Sequence, residues 1–529
     1  MKTRFRYEWA TALLFFILFL IILSTYRKYG ISWDEGTHDR YGTYILSYFR
    51  GFLTGQPDLT VLSIGNPVAY GGIFNLITAW LQERSTLGRF ETRHLFTALI
   101  GLSGIFGCWM ITRRISTEKA AFWATLFLAT VPLYYGHMFF NPKDIPFAAS
   151  YIWSLYFILQ TLEKFPKISW PSVLGMGIFI GLTMGMRIGG VMLFGYLGLG
   201  LAVMILLAWT ESKQESKRLM IRNAAMITIS AFIISYVIMV AFWPWAMQDP
   251  LINPFLALTA QQNIDYQGVV LFGGASYPGD GLPWNYVPGY FLVTIPEIIL
   301  LLLAVGILLG AYKLIRTPAT VRHPSLKFLG ISLLLVSIIY PVGYAMLTRP
   351  VLYDGVRHFM FVLPPIAGLA GISFQEVSDW LSKRNRWGAR IMTVGVLGLI
   401  LYQITIMVRL FPYEYIYYNV LAGGVSGAYQ NYEMDYWGLS TSEAARWLDT
   451  YTENKSQWAN RKIPIFTCAG KFSTSNYFPQ KKLGLVEDIN MAHFGILLNR
   501  EGCDWDVAGK VLYVVERMGV PLSQVKELE

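Results

Sequence analysis

Asp34 and Glu35 stand side by side in Ile31-Ser-Trp-Asp-Glu-Gly-Thr-His-Asp-Arg40, just after the first apolar run of the chain. Adjacent carboxylates near a membrane surface repel one another and resist burial, so they are solvated, paired or functional. Their side chains point to opposite sides of an extended chain, which predicts two roles, one catalytic and one structural. The alternative is a polar loop start. A second cluster is Gly136-His-Met-Phe-Phe-Asn-Pro-Lys-Asp-Ile-Pro146. A turn needs Asn-Pro, but it does not need Lys143 and Asp144 between two prolines with His137 nearby. The prolines restrict the backbone and fix where Lys143 and Asp144 point. A plain surface Lys–Asp pair would contribute little.

Cations complete the set. Arg187 ends a glycine-rich apolar run, where an Arg is expensive unless it snorkels or meets an anion. Arg349, Asp354, Arg357 and His358 crowd one short loop, and the last two precede Phe359-Met-Phe-Val-Leu-Pro-Pro, as a phosphate clamp at a membrane surface would require. Snorkelling anchors would have the same composition. Together these residues suit one reaction. Lys143, Arg187 and Arg357 would hold a lipid phosphate while a carboxylate of the first loop, Asp34 or Glu35, deprotonates an acceptor. His358 joins Arg357 in that clamp, Asp144 stands beside Lys143, and His38, His137 and Tyr286 are supporting candidates. The six histidines show no metal-ligand spacing, and a divalent cation held by Asp144 with Asp34 or Glu35 is the less favoured option, so no metal site is assigned. There is no Walker loop, convincing dinucleotide fingerprint or Gly-x-Ser-x-Gly elbow.

The elements that must position these residues follow from composition. Of 529 residues, 54% are hydrophobic and only 14% charged, against about 25% charged in a soluble domain. A mean hydropathy of +0.42 over the whole length cannot come from a single span of about 20 residues, so a polytopic α-helical membrane protein is expected. Eleven apolar runs begin near positions 9, 94, 119, 146, 170, 189, 223, 288, 327, 359 and 391. The first lacks a small-residue cleavage pattern and reads as an uncleaved helix. If the helices alternate, Arg113/Arg114/Lys119, Lys164/Lys167, Lys213/Lys217/Arg218/Arg222, Lys313/Arg316/Arg322/Lys327 and Lys383/Arg384/Arg386/Arg390 share the side of the basic N-terminus. That side is cytoplasmic by the positive-inside rule, which also gives the net charge of +10 a membrane rather than a nucleic-acid meaning.

The other side receives a first loop of about 27–90, a second of about 244–287 and the tail from 412 to 529, so the transmembrane module is expected over 1–411. Asp39–Leu53 and Ala69–Leu81 carry apolar residues at three-to-four spacing and read as amphipathic helices in the membrane interface. In the tail, Ser440 starts a capped helix, and Ile463–Cys468, Phe494–Leu498 and Val511–Val515 read as strands of a small α/β domain. Three cysteines make no disulfide framework, but Cys468 and Cys503 would share an oxidising compartment and are expected to pair.

Trp33-Asp34-Glu35-Gly, Phe140-Asn-Pro-Lys-Asp144-Ile-Pro-Phe and the long amphipathic first loop resemble the multispanning GT-C glycosyltransferases. The similarity is closest to the family 39-like bacterial branch related to protein O-mannosyltransferases and lipid A aminoarabinose transferase. Leu282-Pro-Trp-Asn-Tyr286, Tyr353-Asp-Gly-Val-Arg357-His358 and the stretch from Tyr413 to Gly438 are similar to bacterial members of unassigned role. The resemblance covers about 30–440 and departs from the aminoarabinose transferase in the tail, which leaves the acceptor open. It implies a multi-pass protein of the bacterial inner membrane, a polyprenyl-phosphate sugar donor, and transfer on the extracytoplasmic side to a lipid, glycan or protein. It further implies inversion at the anomeric carbon with Asp34 as base, Glu35 as its supporting neighbour, and Asp144 and Lys143 organising the acceptor or the donor phosphate. Two other readings use the same groups: a polysaccharide polymerase or ligase with a lipid-diphosphate donor, and a non-enzymatic transporter of lipid-linked sugars. A transporter would place charges in mid-helix, whereas these spans are nearly charge-free at their centres.

Overall fold

The computed structural model describes the chain except residues 1, 66–69, 210–212, 263–265, 267, 317–324, 454, 456–457, 459–461, 469, 479–482, 501–502, 504, 506 and 529. Ala69 and Arg322, both used in the reading above, lie outside the described residues. Among those described, nine helices are long and apolar enough to cross a membrane. The remaining two apolar runs differ in kind. One is α8 (Trp170–Met186), of 17 residues. The other is divided into α5 (Glu118–Ala129) and α6 (Pro132–Phe140), because a proline cannot continue the hydrogen bonding of a preceding helix but suits the first turn of a new one.

Burial sorts the helices. α1 (Lys2–Thr25) follows Trp9 with an almost uncharged run and leaves Leu13, Phe16, Leu20 and Leu23 on the outside, as a lipid-facing helix does. α7 (Asp144–Lys164) and the helix Leu363–Arg384 are covered on nearly every side and form the centre of the bundle. α7 packs between α4 (Arg89–Ile115) and α8. α8 in turn lies against Gln214–Ala241, where Gly177 and Gly181 let the backbones meet: a Cβ at Gly181 would lie 2.7 Å from the Ser235 carbonyl oxygen. Small residues four apart allow such close contacts between apolar helices.

Side-chain contacts mark two ends of the bundle. One end is tied by ion pairs of basic residues: Arg113 to Glu8 at 2.6 Å, Lys119 to Asp379 at 3.1 Å and Lys313 to Glu376 at 2.6 Å. The other end carries α2 (Trp33–Leu53), α3 (Ile73–Gln82), the turn from α6 to α7, Arg187, the loop before Arg357 and the tail. α2 and α3 are latched to α4 by Asp39, which accepts from Arg89 Nε at 2.6 Å and Gln82 Nε2 at 2.8 Å.

Between positions 244 and 286 lie two short helices, Pro244–Gln248 and Asn253–Gln262, and the hairpin β1 (Val269–Phe272) with β2 (Ala275–Pro278). In the tail, β3 (Ile463–Thr467), β4 (Leu483–Val486), β5 (Phe494–Leu498), β6 (Lys510–Arg517) and β7 (Val520–Glu527) form one sheet in the order β4-β3-β5-β7-β6. β3 runs parallel to β4 and β5, and β7 antiparallel to β5 and β6. The helix Thr441–Glu453 covers it, so β5 is buried along its whole length. Cys468 and Cys503 are bonded, with Cα atoms 5.2 Å apart.

Candidate active site

Asp34 occupies the second position of α2, in the first turn, and is only partly covered. No hydrogen bond or ion pair engages its carboxylate among the described residues. Burial raises its pKa above the ordinary aspartate value, Arg357 and Lys143 pull it down, and Asp354 and Asp144 push it up again. Glu35 has a different environment. Its buried carboxylate accepts the Ser32 N–H at 2.8 Å, closing the start of α2, and meets His94 Nε2 of α4 at 3.0 Å. The two neighbours thus separate into a free carboxylate and a bracing one. Helical geometry rather than an extended chain turns them apart.

The Asn141-Pro-Lys-Asp turn is held by its own first residue. Asn141 Oδ1 accepts the backbone N–H groups of Lys143 at 3.2 Å and Asp144 at 2.8 Å, so its amide orientation is fixed. Asn141 Nδ2 then faces Asp144 Oδ2 at 2.9 Å and His137 Nδ1 at 3.1 Å. His137 Nδ1 must therefore accept, which leaves its Nε2–H to donate to the Tyr436 hydroxyl at 2.8 Å. This chain of contacts explains a histidine in an apolar helix: it orients Asp144 from behind.

Asp144 is the hub of the cluster. It pairs with Arg187 and, at 3.2 Å, with Arg357 Nη1. Arg357 reaches Asp354 with its other arm at 3.1 Å, and its guanidinium lies 5.0 Å from both the Tyr353 and the Trp437 rings. Asp354 is held in turn by Arg500 at 2.7 Å and the Trp437 indole N–H at 3.1 Å. The alternation Arg187–Asp144–Arg357–Asp354–Arg500 balances each buried charge with a neighbour of opposite sign, as burial demands.

Two cations keep capacity to spare. Lys143 makes no ion pair with a carboxylate among the described residues. Its ammonium lies 3.5 Å from the centre of the Tyr70 ring, and burial holds its pKa below the usual lysine range. Arg187 is the less covered of the two arginines bound to Asp144, and its buried Nε, like that of Arg357, has no partner among the described residues. His358 leaves Nδ1 unpartnered as well, with its ring edge-on to Tyr353 at 5.0 Å. His38 sits behind Lys143, contacts Asn75 Nδ2 at 3.2 Å, and is kept neutral by burial and by nearby Lys143 and Arg93. Tyr286 stands further back, where its hydroxyl donates to the Gly355 carbonyl at 3.1 Å and braces the loop carrying Asp354. Among the described residues, no group of three or more His, Cys, Asp or Glu side chains is gathered that could hold a metal ion.

Tyr70 and Arg500 contribute without a signal of their own in the sequence, while Glu433 and Trp437 lie in the stretch from Tyr413 to Gly438, whose pattern assigns them no role. Arg500 follows β5 and reaches back some 145 positions to Asp354, and its guanidinium also lies 4.8 Å from the Trp33 ring beside Asp34. Only the contact of the sheet with the bundle reveals it.

Residues 78–247, about a third of the chain, match the family model for dolichyl-phosphate-mannose-protein mannosyltransferase. This segment of the chain is similar to a family of lipid-phosphate-dependent glycosyltransferases. The matched segment includes Lys143, Asp144 and Arg187. No curated protein matches the sequence. Similar solved structures include ArnT from Cupriavidus metallidurans bound to undecaprenyl phosphate, at 14% identity with 97% of each chain covered and a TM-score of 0.47. They also include the oligosaccharyltransferase of Archaeoglobus fulgidus in its apo form, at 12% identity and a TM-score of 0.47. That match takes in 91% of this chain and 65% of the archaeal one.

Proposed function

We propose that the GT-C module transfers a sugar from a polyprenyl-phosphate donor to an acceptor hydroxyl at the extracytoplasmic surface, with inversion and with Asp34 as general base. One observation carries the assignment. Of Asp34, Glu35, Asp144 and Asp354, only Asp34 lacks an ion pair or hydrogen bond among the described residues, and the cations Lys143 and Arg357 face it. A base must be free to take a proton, and a carboxylate locked between two arginines is not.

In the transfer, the acceptor oxygen bonds to the anomeric carbon while its proton passes to Asp34. The bond from that carbon to the phosphate oxygen breaks, and polyprenyl phosphate leaves with the electron pair. Attack opposite the leaving group inverts the centre. Lys143 and the free edge of Arg187 receive the charge growing on the phosphate, so no separate general acid is needed. Arg357 is a positioning residue in this scheme, because both its arms are committed to aspartates. The donor is supported by the family description, which names a polyprenol-phosphate sugar, and by cations placed at a bundle end.

The test is single-turnover transfer from a panel of synthetic polyprenyl-phosphate sugars to acceptors in a membrane extract, with products read by mass. Asp34→Asn should retain fold and donor binding and lose turnover by about 10²–10⁴-fold, the usual contribution of a positioned base. Near-normal turnover in that variant would overturn the assignment.

A further inference from the structure

Next to the charged cluster, and sharing Arg500 with it, lies a cavity of about 250 Å³. It is bounded by the hairpin β1–β2, the segment 429–436 and the end of β5. Asp34, Lys143, Asp144, Arg187 and Arg357 do not line it. Arg500, Glu433 and Tyr436 do, and these three also bear on the cluster: Arg500 binds Asp354, Glu433 accepts the Gly355 N–H at 3.1 Å, and Tyr436 receives His137.

We propose that this cavity is a subsite for a sugar ring of a glycan acceptor, adjacent to the ring that receives the transferred sugar. The inference rests on the transferase reading above and adds the acceptor's chemical class. Half-buried Tyr429 offers a ring face, Tyr432, whose ring is stacked on Tyr418, offers its hydroxyl edge, and Gln430 offers an amide. Asn499 Nδ2 is already donated to the Tyr429 hydroxyl at 2.9 Å and the Pro521 carbonyl at 3.1 Å, and Arg500 is held by Asp354. An aromatic face beside a free amide and hydroxyl suits a polyhydroxylated ring, which has an apolar C–H face and hydroxyls along its edge.

A peptide added as a strand is excluded by the backbone, since Tyr432 already bridges Phe272 on that edge and the Gly274 N–H is used by Asn431 O at 3.0 Å. The volume is below the roughly 300–1,000 Å³ of drug-sized sites, which fits one ring rather than an oligosaccharide. Gln430 adds a conformational mark. Its φ of +64° is left-handed, a conformation that costs of the order of 1–3 kcal/mol and collects at ligand clamps. Neither its amide nor the Tyr432 hydroxyl has a protein partner among the described residues. Holding a ring that does not react would place the reacting hydroxyl on the far side of Arg500, toward Trp33 and Asp34, a use of remote binding to orient chemistry.

The experiment uses the full-length protein in lipid nanodiscs without donor. Methyl glycosides of glucose, galactose, mannose and N-acetylglucosamine are offered at millimolar concentration, and binding is read by saturation-transfer NMR. At least one should bind. Tyr432→Ala should weaken it by tenfold or more, whereas Tyr432→Phe should retain most of the binding. Gln430→Gly, which relieves the left-handed strain and so should fold, should weaken it severalfold. The glycoside that binds should also compete with the extract acceptor in the transfer assay. Failure of all four glycosides to bind, or binding unchanged in both Tyr432→Ala and Gln430→Gly, would overturn the proposal, as would binding of a Ser/Thr peptide in their place. Asp34→Asn should bind the glycoside like the unaltered protein, so a failure of the base assignment and a failure of the subsite give different results.

Discussion

A carboxylate acts as a base only when ionised, and Asp34 and Lys143 depart from their ordinary pKa values in opposite senses. The Asp34 pKa is raised, with burial as the largest cause and Asp354 and Asp144 adding to it against Arg357 and Lys143. Turnover should therefore fall as pH drops through a value above the usual aspartate range. Lys143 is depressed, again chiefly by burial, so the ammonium that receives the phosphate is lost as pH rises through a value below the usual lysine range. A bell with both limbs drawn inward is expected in a pH profile of single-turnover rates, with the acid limb falling tenfold per pH unit. Asp34→Asn should remove the acid limb from whatever activity is left, and a limb that persists would assign it to another group. The types of these residues and their places at helix ends could be read from the sequence. Their pairing could not: Arg357 reads as a phosphate clamp until its guanidinium is seen between Asp144 and Asp354, because a motif shows which charges are present but not which neutralise each other.

The site depends on elements that meet only in three dimensions, and the loop from β5 to Cys503 is the clearest case. Arg500 is three residues from Cys503, whose bond to Cys468 ties the end of β5 to the chain that follows β3. Short apolar runs announce β3, β5 and most of β6, and a capping start announces the helix after Ser440. β4 and β7 went unread, since Leu-Gly-Leu-Val and the mixed Val520–Glu527 become strands by pairing rather than by pattern. Likewise the run at 119–136 shows one apolar stretch where Pro132 makes two helices. Cys468→Ser should cost about 2–4 kcal/mol, as loss of a bond closing a loop of this size does. Asp354→Asn leaves Arg357 and Arg500 facing each other with no charge between them and should cost about 3–5 kcal/mol, the range for a broken buried pair. The apparent Tm in detergent, followed by intrinsic fluorescence, checks both. Asp354→Asn should also lower donor binding by Arg187 and Lys143, while Cys468→Ser should leave it nearly intact. Equal loss of donor binding in the two would mean that the tail, rather than the aspartate, sets the cluster.

At the scale of the whole molecule, the charged cluster and the basic ion pairs lie at opposite ends of one bundle. Every turn that contributes to the cluster comes from the end bearing α2, α3 and the tail, and the pairs of Arg113, Lys119 and Lys313 mark the other. Positive charge is retained on the cytoplasmic side of a membrane, so the cluster and the sheet are expected outside, where a nucleotide sugar is not supplied and an activated sugar must arrive on a lipid. Nine long apolar helices among the described residues, or eleven with α8 and the broken α5–α6 counted, give the same odd parity, from which the two termini are expected on opposite sides. Single cysteines test this in a background that is favourable by nature. Cys108 is buried, and Cys468 and Cys503 are bonded to each other. Gln214 and Asn490 are both exposed, so Gln214→Cys should react with a membrane-impermeant maleimide only after permeabilisation and Asn490→Cys in intact cells. The reverse pattern would place Asp34 and its cations in the cytoplasm, where nucleotide donors are available, and the lipid-linked donor would no longer follow from where the site lies.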